Sequence, residues 1–493
     1  MLHFESLFQE GLNSMDLKKM DALIEGWRDE ILDTLSGWIA VPSVNAPAEG
    51  EGKPFGTNVR NMLDKALEDA RKMGLQTREF DGFAGEVSLA GDGSAESENM
   101  GILAHLDVVP AGDGWVRPPF ALTVENGRLY GRGVGDDKGP ALAAMFAMRA
   151  VKEAGIPLKD SVKLILGCDE ETGMTDLRHY AEVAGKTDYG FSPDADYPLI
   201  NLEKGSASLL LSKLTGGEDG AEIPVYQLYA GERVNVVPGL AWAEVGLEKV
   251  DFAALNERLK AIETAHAAEK FSLSARETGA GRARIEAVGV SAHASMPELG
   301  VNAMGMLLIA LKELGAGGGS REAIAILADK IGLEGDGKSL GIAISDEESG
   351  ALTCNLGLCR YDGQYLTAQL DIRRPLCSDP AVISGNAAVA LSPARMAVTL
   401  LGAKEAHYVP QDHKVVKGLL EVYHQVTGLP AYAFSIGGGT YSRMMPNTVA
   451  FGCNFPGEVD TAHMPDENVD LEKYMLSIRV MAHAIARLAG KEA

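Results

Sequence analysis

The chain has 493 residues, 46% of them hydrophobic, and carries 69 Asp and Glu against 45 Lys and Arg, a formal net charge of -24 at pH 7. That length exceeds one ordinary core and sets an expectation of two or three domains. The acidic balance argues against nucleic-acid partners, whose phosphates need clustered Lys and Arg, and no apolar stretch approaches the roughly 20 residues needed to cross a bilayer.

Taken in chain order, residues 1–10 show no basic segment followed by an apolar core, so no export signal is expected. Five irregularly spaced cysteines without a CxxC pair point to neither a disulfide framework nor a thiolate zinc site. A reduced, cytoplasmic, membrane-free protein is the expectation. Apolar residues at helical spacing predict a helix over 17–38 and another over 59–73. Strands are expected at 101–106 and 161–167 with a helix at 139–154 between them, the alternation of βαβ units. After about residue 205 the runs at 207–213 and 282–288 alternate as half-exposed antiparallel strands do, with helices expected at 251–267 and 302–315. The chain ends on a helix predicted over 471–488. The fold class is therefore α/β with a mostly parallel sheet, residues 1–205 and 406–493 forming a discontinuous domain around an α+β insert at 206–405.

Would-be ligands follow the apolar, β-prone runs, where an open α/β sheet places its chemistry. His105 and Asp107 close the run from Gly101, and their spacing of two puts them on one side of a strand. They read either as a metal ligand with its orienting carboxylate or as a strand-end turn around a satisfied histidine. Asp136 lies in Gly131-Arg-Gly-Val-Gly-Asp-Asp-Lys-Gly139. An aspartate where GxGxxG needs its third glycine would repel a pyrophosphate, so the loop fits a metal ligand better than a dinucleotide. Glu170 and Glu171 suit a solvated helix N-terminus as well as a base beside a ligand. Asp194 and His463 complete a set of imidazoles and carboxylates suited to divalent ions. Gly332-Leu-Glu-Gly-Asp-Gly-Lys-Ser339 matches the P-loop pattern formally, but a helical run precedes it and Glu334 and Asp336 would face the phosphates. The competing classes are thus a nucleotide binder through that loop and a non-catalytic metal or peptide-binding module.

Together these strings resemble the di-zinc metallopeptidase family of carnosinase and aminoacylase, peptidase family M20, and within it the bacterial dipeptidase V (Xaa-His dipeptidase) type. His105-Leu-Asp-Val-Val-Pro-Ala-Gly-Asp-Gly-Trp115, Asp136-Asp-Lys-Gly-Pro140 and Ser435-Ile-Gly-Gly-Gly-Thr-Tyr441 carry the resemblance, with the insert near 200 residues. It implies a di-zinc exopeptidase-like catalytic domain with a lid of ferredoxin-like units. It also implies two divalent ions, Zn2+ first with Mn2+ or Co2+ as substitutes. Asp136 would bridge them, His105 and Asp194 completing one site and Glu171 and His463 the other. Glu170 would be the general base toward a metal-bridged water, with Asp107 orienting His105. The Asp136–Asp137 bond would be cis. From the lid, His293 would steady the oxyanion, Arg373 would bind the substrate carboxylate, and Asn235 would reach the substrate. The implied activity is hydrolysis of short peptides with free termini by a monomer whose lid closes over small substrates. An N-acyl amino acid deacylase on the same scaffold is the alternative.

Overall fold

The apolar runs that precede the acidic residues fold as neighbouring strands of one sheet. The computed structural model describes residues 14–216 and 221–491; the segment read above for an export signal lies outside the described residues. The chain divides into two units, Met1–Leu202 with His407–Phe434 and Gly439–Ala493, and Glu203–Ala406 with Ser435–Gly438.

In the first unit the sheet runs Gln76–Phe80, Ala84–Leu89, Ser161–Gly167, Asn99–His105, Tyr189–Ser192, Thr448–Ala450, Ile200–Glu203 and His407–Tyr408. The four strands from Ser161–Gly167 to Thr448–Ala450 are parallel, with antiparallel neighbours on either side. Successive side chains enter different cores. Ile102, Ala104, Leu164 and Leu166 pack with the helices Lys138–Ala154 and Leu471–Ala489, whereas Leu103 and Ile165 meet Leu177, Tyr180 and Tyr441. Covering both faces is what makes these strands read as unbroken apolar runs. Helix Lys138–Ala154 is buried along almost its whole length and stops at Gly155, whose φ of 82° is a left-handed cap.

The order of strands fixes where a site can form. From Asn99–His105 the chain adds Ser161–Gly167 on one side and Tyr189–Ser192 on the other. The order therefore reverses at the carboxyl end of Asn99–His105, and a crevice opens there.

The predicted helix over 17–38 is instead two helices, Ser14–Gly26 and Arg28–Ile39, broken at Trp27. Gly26 is a weak helix former, and Trp27 turns its ring toward Phe146, 6.2 Å away, with the Arg149 guanidinium 4.0 Å from its centre.

The second unit is an antiparallel eight-stranded sheet in the order Leu273–Gly279, Arg282–Val288, Leu240–Gly246, Val225–Ala230, Thr353–Tyr361, Tyr365–Arg374, Gly205–Leu214 and Ala397–Lys404. Helices Phe252–Ala265, Ala303–Glu313, Arg321–Lys330 and Pro380–Leu391 share its core. Alternate residues of Gly205–Leu214 are buried, as the sequence pattern requires of a sheet covered on one face. The unit's two ends lie on adjacent strands, Ser206 opposite Lys404. The P-loop-like stretch follows helix Arg321–Lys330, and Glu334 accepts hydrogen bonds from the backbone and hydroxyl of Ser339. A carboxylate thus occupies the place a phosphate would need. Among the described residues the five cysteines are free, and no helix is long and apolar enough to cross a membrane.

Candidate metal centre

His105 ends its strand at the crevice, buried, with its ring edge-on to Tyr441 at 6.0 Å between centres. Its Nδ1 lies 2.9 Å from the carbonyl oxygen of Asp107, nearer than the Asp107 carboxylate at 3.4 Å. A carbonyl only accepts, so Nδ1 carries the proton and Nε2 faces the crevice. There Nε2 stands 3.0 Å from Asp136 Oδ1 and 3.6 Å from Asp194 Oδ2. The other oxygen of Asp136 is 3.0 Å from His463 Nε2, which is also 3.0 Å from Glu171 Oε1. Asp136 thus stands between two groups, His105 with Asp194 and His463 with Glu171. Ligand atoms of His105, Asp136 and Glu171 lie within 4.8 Å of one another. The Asp136–Asp137 peptide bond is cis, and His463 holds a left-handed φ of 62°.

Three buried carboxylates hold these loops. Glu467 accepts from the backbone N–H groups of Gly133, Gly135 and Asp136, and from Arg132 at 2.7 Å, so it joins the Asp136 loop to the His463 loop. Gly133, at φ 90°, allows that backbone to curl around the carboxylate. Asp107 accepts from the backbone N–H of Glu170 and of Glu171, each at 3.2 Å, and from Asn45 at 3.1 Å. Its carboxylate therefore grips the acidic pair more closely than it grips His105. Asp176 accepts from the N–H groups of Cys168 and Asp169 and from the Tyr441 hydroxyl, fixing the start of the same loop. Of these supports, Tyr441 stood inside a string the sequence singled out without showing its work, and Glu467 lies four residues beyond His463. Asn45 gave no signal.

The electrostatics test whether these residues suit a cation. Burial, then Asp136 nearby, pushes the Asp194 carboxyl up to about 7. Burial raises Glu170 well above the carboxylate range, with Asp194, Glu171 and Asp136 adding to it. Hydrogen bonds to Asp136 and Glu171 lift His463 to about 10. Burial works against the charge on Asp136, yet hydrogen bonds from His105 and His463 hold it below the usual range. Carboxylates crowded until they retain protons, beside imidazoles forced to stay charged, are the environment a divalent cation relieves. The donor set of oxygens and imidazole nitrogens fits such an ion.

The remaining candidates lie on the second unit. His293 Nδ1 accepts from the Ser295 N–H at 3.2 Å and sits 2.6 Å from its hydroxyl, which leaves the ring proton on Nε2. Arg373 makes a two-pronged pair with Asp371 and donates to the Gly437 carbonyl at 2.8 Å. Three of its five N–H groups are so engaged, and two remain. The Asn235 carbonyl accepts from Ala294 N–H at 2.9 Å, tying its segment to the one that carries His293.

A fold and site of this kind are those of a metallopeptidase, and the family model for peptidase family M20/M25/M40 matches residues 101–487, so the chain belongs to that family. It is similar to the Bacillus subtilis protein YtjP, 35% identical over 94% of this chain and 98% of the relative. It is 33% identical to the beta-Ala-Xaa dipeptidase of Lactobacillus delbrueckii subsp. lactis over 97% of this chain and all of that one. Its fold resembles human carnosine dipeptidase 1, with a TM-score of 0.57 at 15% identity over 96% of this chain and 98% of the other. The aminoacylhistidine dipeptidase of Vibrio alginolyticus gives the same TM-score and identity over 94% and 97%.

Proposed function

We infer that the chain is a metal-dependent dipeptidase. The observation that carries this is Asp136, with one oxygen toward His105 and the other toward His463. Near-full-length similarity to a beta-Ala-Xaa dipeptidase supports the substrate class. In this reading two divalent ions would be held by His105 with Asp194 and by Glu171 with His463, and Asp136 would be shared between them. Zinc is the first expectation, with manganese or cobalt as substitutes. When bound, the pair supplies Lewis acidity toward a water and the scissile carbonyl.

The chain's own groups do the rest. Glu170, whose burial gives it a high proton affinity, takes the proton of the attacking water and delivers it to the leaving amine. Asp107 holds Glu170 and Glu171 by their backbone N–H groups. His293, with its proton on Nε2, donates to the oxyanion that develops on the carbonyl. The two remaining N–H groups of Arg373 receive the terminal carboxylate, and Asn235 contacts the substrate. We further propose that the enzyme is a cytoplasmic monomer with the second unit as its lid; specific activity should then stay constant on dilution through the nanomolar range.

The test is hydrolysis of Ala-His, β-Ala-His, Leu-Gly-Gly and N-acetyl-methionine by chelator-stripped protein, with and without Zn2+ or Mn2+. Metal-restored cleavage of the dipeptides is expected. Cleavage of N-acetyl-methionine instead would move the assignment to a deacylase, and no metal-dependent turnover would overturn the hydrolase reading.

A further inference from the structure

Behind the Asn235 and His293 segments lies a pair of asparagines, Asn355 buried and Asn302 half-buried, to which the chemistry above gives no part. Asn355, on strand Thr353–Tyr361, is 1% exposed. Its Nδ2 donates to the carbonyls of Val234, at 3.1 Å, and Val236, at 3.0 Å, one on each side of Asn235. Its Oδ1 accepts from Asn302 Nδ2 at 3.3 Å. Asn302 is fixed in turn, because its Oδ1 caps helix Ala303–Glu313 by accepting from the N–H groups of Met304 and Gly305, at 3.0 and 3.1 Å. Helix N–H groups only donate, so they settle which way Asn302 points, and its amide then donates to Asn355 and, at 2.9 Å, to the Leu356 carbonyl.

The connection continues to His293. Val236 forms a β-bridge with His293, Ala294 N–H donates to the Asn235 carbonyl, and Val237 N–H donates to the Ala292 carbonyl, each of the last two at 2.9 Å. A rigid helix end thus leads, through one fully used buried amide, to the backbone of both substrate-facing candidates. Fully satisfied buried polar networks specify one geometry where an apolar contact would allow several.

We propose that Asn355, oriented by Asn302, is a positioning residue for Asn235 and His293. This rests on the reading that His293 acts on the substrate.

The test is a double-mutant cycle on the metal-loaded, full-length enzyme with a dipeptide substrate. Asn355→Asp turns an acceptor toward two carbonyls. Asn302→Asp keeps the helix cap but sets a carboxylate oxygen against Asn355 Oδ1 and the Leu356 carbonyl, to both of which the Asn302 amide donates. Each should lower kcat about tenfold or more while KM moves less than about threefold, since misplacement near 1 Å can cost a hundredfold. Metal content should not change, because the ligands are on the other unit. In a background lacking both groups, Asn235→Ala with His293→Ala, either substitution should cost less than about twofold further, because the groups it positions are gone. A merely structural role would cost the same factor in both backgrounds, and that result would overturn the proposal. If His293→Ala alone keeps wild-type kcat, the reading of His293 falls and this proposal with it. Should Asn355→Asp not fold, Asn302→Asp carries the same cycle.

Discussion

At the residue scale, the proposed base Glu170 and the proposed ligands make opposite demands on protons. As a base Glu170 would bind one during turnover, and Glu170→Gln should cut kcat by roughly a thousandfold, within the span usual for general bases, with metal content unchanged. An unchanged kcat would remove Glu170 from the chemistry. The ligands must lose theirs. Without a cation His463 is raised to about 10 by Asp136 and Glu171, and Asp194 to about 7 by burial. Below those values protons occupy the positions that a cation takes, so loading metal at pH 7 displaces them and affinity rises with pH. Between pH 6 and 8 the apparent Kd should fall about tenfold per pH unit for each proton displaced. Calorimetric titration in buffers of different ionisation enthalpy counts those protons; a Kd that ignores pH would contradict the assignment of His463 and Asp194.

At the scale of elements, the site depends on loops held by side chains far away in sequence. Glu467 and Arg132 are buried, each 1% exposed, and 335 residues apart. Glu467→Gln leaves the guanidinium without its counter-charge and should cost about 3–5 kcal/mol, read by urea unfolding, together with weaker metal binding as the His463 and Asp136 loops part. Such a support is silent in a sequence, because its partners are backbone N–H groups that any residue provides. Of the proposed ligands, His105, Glu171 and Asp194 could be picked out for the opposite reason: they end or follow strands whose unbroken apolar runs are visible in the sequence. The helices at Lys138–Ala154 and Ala303–Glu313 stand close to the expected spans 139–154 and 302–315. The break at Trp27 was not, since it depends on Phe146 and Arg149 in another helix.

At the scale of the whole molecule, the second unit has a core to which only its own residues contribute, and its ends pair on neighbouring strands. Such an insert should fold alone. Residues 203–406 expressed separately should unfold cooperatively, with a midpoint indifferent to chelator, whereas the full-length protein should lose a metal-dependent transition. A fragment without cooperative unfolding would show that the unit borrows its stability. The division also separates two inheritances. The proposed metal ligands and base belong to one unit, and Asn235, His293 and Arg373 to the other, so specificity could be exchanged between relatives while the chemistry stays in place. Two crossovers would not suffice, however. The return of Ser435–Gly438 to the second unit places Gly437 where an added Cβ would come within 2.6 Å of Ser295 Cβ, and its carbonyl takes an N–H of Arg373. A transplanted specificity cassette must bring those four residues along, or arrive with its carboxylate clamp half assembled.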